Sequence, residues 1–228
     1  MKTLSKRLTL EQGKVTKELY DPKEAISLLK STSSAKFDES MEAHISLAID
    51  PKYSDQQLRT TVVLPNGTGK SIRIAALVTA DQVDEAEKAG ADVFGNEDLI
   101  EDISKGILNF ELLIATPPMM PKLAKLGRVL GPKGLMPSPK AGTVSTDLKA
   151  TIDEFKRGKL EYRADKTGIV HISFGKSSFS EDFLFENLKA FYDSVEKNKP
   201  TGVKGKYFKK FTICSTMGPG IPVALDSF

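Results

Sequence analysis

The sequence predicts a mixed α+β and α/β fold of two domains: an α+β domain built from both ends of the chain, with a three-layer α/β domain inserted between them. Three observations carry this. From about Ser71 to Gly158 short apolar strands alternate with helices, whereas the flanks lack that rhythm. Each flank has too few elements for a core of its own, so the two complete one another. Turn-rich stretches at Pro65 to Lys70 and Lys156 to Lys159 mark the crossings, which places the domains at 1–67 plus 158–228 and at 68–157, with a hinge where the crossings adjoin.

The elements follow in order. "DPKEAISLL" predicts the first helix, with Asp21 as N-cap, Pro22 in the first turn, Glu24 closing a capping box, and Ala25, Leu28 and Leu29 on one face. From Phe37 to Ile49 alternation predicts a strand: Phe37, Met41, Ala43, Ile45, Leu47 and Ile49 share one parity, and Asp38, Ser40, Glu42, His44 and Ser46 the other. "LRTTVVL" reads as its partner strand. In the middle, "IRIAALV", "ADVFG" and "ELLIAT" are apolar strands, and the first two precede helices closed by Gly90 and Gly106. After Gly158, "KLEYR" and "GIVHISF" flank the turn "ADKTG" as a hairpin. A helix with Leu184, Leu188, Phe191 and Val195 in line follows, then the strand "KYFKKFTIC".

Composition excludes several function classes. The net charge of +3 is too mild to name a partner, so charge distribution must. One cysteine, Cys214, rules out an internal disulfide framework, and two histidines, His44 and His171, leave a structural zinc site short of ligands. The start of the chain, "MKTLSKRLTLEQGK", has no apolar signal core, and no run of about 18 apolar residues occurs, so a soluble chain without a membrane partner is expected. His44 lies on the polar strand face, where partner contact outranks acid–base catalysis, and His171 also fits an ordinary sheet position. No catalytic constellation, cofactor or metal site is indicated.

Two motifs suggest phosphate. "LPNGTGKS" ends like a phosphate loop at Gly69, Lys70 and Ser71, but Leu64 stands where the first Gly belongs and a strand follows where a helix N-terminus is needed. A flexible connector fits better, with a nucleotide-binding enzyme as the outside alternative. "MMPKLAKLGRVLGPKGLMPSPKAGTV" gathers Lys122, Lys125, Arg128, Lys133 and Lys140 among Pro and Gly, and no acid occurs between Glu111 and Asp147. An exposed basic loop of this kind builds little core but suits a nucleic-acid backbone, whose counterions it displaces; a plain solvated loop is the alternative. "KNKPTGVKGKYFKK" adds six Lys and no acid, as a second phosphate-facing flank or a solvated helix end.

Together "KLGRVLGPKGLMPSPKAGTV", "DKTGIVHISFGK" and "STMGPG" resemble the family of large-subunit ribosomal protein number one, the protein of the mobile stalk beside the ribosomal exit site. The resemblance runs from about Lys6 to the C-terminus. It implies a discontinuous α+β domain of split β-α-β type and an inserted Rossmann-like α/β domain, with no catalysis and no nucleotide. It also implies binding to the stalk segment of large-subunit rRNA and movement with departing exit-site tRNA. In bacterial members it implies repression of an operon mRNA that mimics the rRNA site. The chain is expected to be a monomer off the ribosome.

Carried over residue by residue, the RNA surface uses Lys36, Phe37, Ser40 and Glu42, then Lys166, His171, Lys176 and Ser178, then Ser215, Thr216, Met217 and Gly218. These types suit the task. Ser40 and Glu42 can bond a 2′-OH or a base amine, the lysines neutralise phosphate, and Phe37 offers a stacking surface, with core packing as its alternative. In "STMGPG", Gly218 and Gly220 permit close approach, Ser215 and Thr216 donate, and Met217 covers a base or sugar. Lys122, Lys125, Arg128, Lys133 and Lys140 are a secondary RNA contact. Family members often carry Thr at the place of Ser40 and Asn at that of Ala164. "EYRADKTGIVHISFGK" and 27 Lys against 6 Arg suggest a plastid-encoded chain of the chloroplast stroma, with a bacterial cytoplasm as the alternative.

Overall fold

The computed structural model describes residues 5–203 and 205–225, so the expectations for the first four residues and for Lys204 lie outside the described residues. It begins with a helix that the sequence reading missed. Helix α1 (Lys6–Gln12) starts where the Ser5 hydroxyl accepts from the Leu8 N–H. Helix α2 (Pro22–Thr32) starts at Pro22 as expected, but Asp21 makes no side-chain cap and Glu24 pairs with Lys17 at 2.7 Å, so there is no capping box. Strand β1 (Ser40–Leu47) is shorter than its alternating stretch, and Met41, Ala43, Ile45 and Leu47 are its buried set. Strand β2 (Arg59–Val63) completes the first flank.

The middle supplies β3 (Ile74–Leu77), α3 (Val83–Lys88), β4 (Val93–Gly95), α4 (Glu97–Ser104), β5 (Leu112–Ala115), α5 (Met120–Ala124), α6 (Gly127–Leu130) and α7 (Leu148–Arg157). The second flank follows with β6 (Lys159–Arg163), β7 (Ile169–Lys176), α8 (Glu181–Lys197), β8 (Phe208–Ser215) and β9 (Ile221–Val223). Contacts divide the chain into two units, Met1–Gly69 with Leu160–Phe228 and Lys70–Lys159. No helix among the described residues is long and apolar enough to cross a membrane.

In the unit made from both flanks, four strands pair antiparallel in the order β7-β1-β8-β9. Helices α2 and α8 cover one face, where Ile26, Leu29, Leu184, Leu188, Phe191 and Val195 join the strands' inward residues in one core. Each of these large side chains contributes about 1.5–3 kcal/mol by burial, which secures both helices on the sheet. The partner expected for β1 is corrected: β2 pairs with β6 in a separate two-stranded sheet. The expected hairpin forms only next to its turn, where Ala164 bridges Val170 antiparallel. The turn after Arg163 is present, with the Asp165 N–H donating to Ile169 O at 2.9 Å, but β6 and β7 diverge into different sheets.

In the middle unit three parallel strands run in the order β4-β3-β5. Alternate residues of β3 face opposite layers. Ile74 and Ala76 pack with Ile152 and Phe155 of α7, and Ala75 and Leu77 pack with Ile103, Leu123 and Leu130 on the other side. This is the three-layer α/β arrangement.

Two loop readings are corrected here. The segment from Pro121 to Lys140 is partly helical and does build core, because Leu123, Leu126 and Leu130 recur at helical spacing and are buried. The stretch at Pro65 to Gly69 is tied down. The Asn187 amide, fully buried, donates to Gly67 O and Phe174 O at 2.9 Å and accepts from the Asn66 N–H at 3.0 Å. Gly69 has φ 72° and lies so close to Lys176 and Phe179 that a β-carbon would collide with them.

Candidate nucleic-acid interface

One end of the four-stranded sheet gathers most of the expected site. Antiparallel register sets Ser40 opposite Lys176 and Met41 opposite Ser215, so the start of β1 meets the ends of β7 and β8. The Lys176 ammonium donates to Ser40 Oγ at 2.9 Å. The Thr216 N–H donates to Ser40 O, and the Ser40 N–H donates to Thr216 Oγ1, both at 3.0 Å. Beside them Ser178 donates from its N–H and hydroxyl to Asp38. Thr216 and Met217 stand outward, the latter 51% exposed.

A residue absent from the expected site holds this end together. Glu39 is 1% exposed, and its carboxylate accepts from the Ala35 N–H at 2.9 Å, the Ser215 hydroxyl at 2.7 Å and the Met217 N–H at 2.9 Å. Burial pushes its carboxyl up, but those donors together with the Arg7 charge hold it below the ordinary 4.5. Arg7 grips the same turn from outside, donating to Met217 O at 2.7 Å and to Ser34 Oγ at 3.3 Å. The turn at 215–218 is thus preorganised by an anion within and a cation without. A signal for Glu39 was present. It shares the inward parity of Met41 and Ala43, and an acid in that row must find partners.

This changes two expected roles. Ser215 is 1% exposed with its hydroxyl committed to Glu39, so it shapes the turn and presents no donor outward. Gly218 is needed internally, since a β-carbon there would press on Ser215 Oγ. Phe37 is 54% exposed, which removes the core alternative, and Lys36 is exposed beside it.

Other expected residues lie further along the sheet. Glu42 and His171 stand on its outward face, where His44 Nδ1 is 2.8 Å from His171 Nδ1. Burial and the adjacent His171 push His44 below its ordinary value. Lys166, exposed in the turn before β7, sits at the opposite end of that strand from Lys176, and β7 itself spans about 23 Å at the usual strand rise. Lys122, Lys125, Arg128, Lys133 and Lys140 are exposed in the middle unit, Lys122 being paired with Glu97 at 2.7 Å.

A recessed carboxylate beneath a turn that presents the exposed Thr216 and Met217 side chains, edged by lysines, suits the 2′-OH, phosphate and base faces of RNA. Residues 29–219 match the model of the Ribosomal protein L1p/L10e family. The chain is similar to the "Large ribosomal subunit protein uL1" of Prochlorococcus marinus strain MIT 9515, 60% identical over 100% of this chain and 97% of the relative. It is also similar to that of strain NATL1A, 62% identical over 99% and 96%. The family match over residues 29–219, with 60% and 62% identity to relatives over 100% and 99% of the chain, makes the chain a member of the Ribosomal protein L1p/L10e family, a large-subunit ribosomal protein and not an enzyme.

Proposed function

We propose that the chain binds the stalk segment of large-subunit rRNA through the end of its four-stranded sheet, using Ser40, Lys176, Ser178, Thr216, Met217 and Gly218, flanked by Lys36 and Phe37. Ser215 acts from below, and Glu42, His171 and Lys166 extend the contact along the outward face. The observation that carries this is the Glu39 cradle, which fixes the 215–218 turn before any partner arrives and so lowers the ordering cost of binding.

Met217→Ala tests it. Affinity for stalk rRNA should fall by about 1–3 kcal/mol, the range for losing a base-sized contact. The melting temperature should barely move, because the side chain is already half exposed. Unchanged affinity would remove Met217 from the interface.

On the ribosome the bound chain assists departure of deacylated tRNA from the exit site, and the exposed cations of the middle unit touch stalk rRNA or that tRNA. Neutralising Lys125, Arg128 and Lys133 together should slow tRNA release; an unchanged rate would make that segment a solvated surface. The same interface represses the chain's own operon mRNA, which predicts competition between the mRNA leader and stalk rRNA for one site. Off the ribosome the chain is a monomer, which sedimentation tests. The similarity to Prochlorococcus relatives supports a cyanobacterial or plastid type, and the chloroplast stroma is the proposed setting, with bacterial cytoplasm as the alternative. Locating the gene on a plastid or a bacterial chromosome decides between them.

A further inference from the structure

The outward face of the same sheet holds a cluster in which the proposed RNA contact uses Glu42 and His171 but gives no role to His44 and Cys214. Glu42 on β1 lies opposite Cys214 on β8, and His44, two residues along, lies opposite His171 on β7. Met41, Ala43, Ile45, Ile172 and Ile213 face the core between them, so all four side chains share the outer face. His44 Nε2 is 3.1 Å from Cys214 Sγ and 3.9 Å from Glu42 Oε2, and one ligand atom from each of the three lies within 4.8 Å of the others.

The opposite ring edge of His44 is also engaged. Its Nδ1 is 2.8 Å from His171 Nδ1, and His171 Nε2 is 3.5 Å from Asp165 Oδ2. The Asp165 carboxylate can only accept, so the tautomer of His171 that donates to it from Nε2 turns a lone pair on Nδ1 toward His44. His44 then donates from Nδ1, which leaves a lone pair on Nε2 aimed between Cys214 and Glu42. Metal-binding histidines are usually oriented by a carboxylate, carbonyl or water on the second ring nitrogen, and here His171 takes that place with Asp165 behind it.

We propose that Glu42, His44 and Cys214 form a three-ligand site for a divalent transition metal of the zinc class, with His171 and Asp165 as positioning residues behind His44. A thiolate, an imidazole and a carboxylate match zinc at about 2.0–2.3 Å, with a fourth position left for water. Magnesium and calcium prefer all-oxygen shells and fit poorly. On binding, the Cys214 S–H bond breaks, its electron pair forms the sulfur–metal bond, and the proton passes to solvent. No local spacing announces this site, because its ligands are contributed by β1 and β8, 170 residues apart at His44 and Cys214.

Co2+ titration of the full chain, without RNA, tests the site independently of the RNA reading. The chain has one cysteine, so a thiolate-to-cobalt charge-transfer band can arise only from Cys214. The band should saturate with Co2+, be bleached by Zn2+, and vanish in Cys214→Ser. His44→Gln and Glu42→Gln should each weaken Co2+ binding at least about 10-fold, and His171→Gln by about 10–100-fold, with circular dichroism unchanged. Absence of the band would overturn the proposal. So would a titration unaltered by His44→Gln and Glu42→Gln, which would leave an isolated thiol binding metal adventitiously.

Discussion

At the residue scale, Glu39 carries more of the account than any side chain that faces outward. A buried carboxylate is costly unless its lone pairs are filled, and three donors converge on this one. Glu39→Gln keeps the shape but replaces an acceptor with an amide donor, which then faces donors. It should lower stability by about 1–3 kcal/mol and weaken stalk rRNA binding although residue 39 touches no solvent; chemical unfolding and filter binding measure the two. Equal stability with equal affinity would mean that the turn holds itself. The outward residues Thr216 and Met217 were legible from the motif they form. Arg7 was not, because its contact with Met217 O spans 210 residues and depends on a helix that the reading did not foresee.

Among the elements, the turn that feeds β7 offers a pH prediction. Asp165 is held down to about 2 by the Ile169 N–H first, then by the Thr167 hydroxyl, and its side chain is 41% exposed. A folded value below the ordinary 3.8 means that the stabilisation is complete above 3.8 and is lost as pH falls through about 2. Solvent screening limits it to on the order of 1 kcal/mol. The stability difference between wild type and Asp165→Asn, followed by urea unfolding, should therefore be constant near neutrality and shrink below pH 4. A difference that grows on acidification would contradict the assignment. The same turn shows where sequence reading failed: "ADKTG" specified a reversal, but which strands pair depends on the second sheet partner, and β2 competes for β6. Between Pro121 and Lys140, Pro and Gly obscured the Leu123, Leu126 and Leu130 spacing that buries those residues.

For the whole molecule, the alternation of strand and helix in the middle and its absence at the ends conveyed the mixed α+β and α/β fold, because period and order are local properties. What the sequence withheld is long-range. The four-stranded sheet draws β1 from one flank and β7, β8 and β9 from the other, and only their register sets Ser40 beside Thr216 or Cys214 beside Glu42. The central claim is that this sheet end recognises a particular RNA and does more than attract phosphate. The measurement that tests it most directly is filter binding of the chain to the rRNA stalk segment and to a plain duplex of equal length, across a salt series. Specific recognition predicts that stalk binding persists at salt that strips the duplex, with a shallower dependence on salt. Equal affinities falling together with the same steep slope would contradict it.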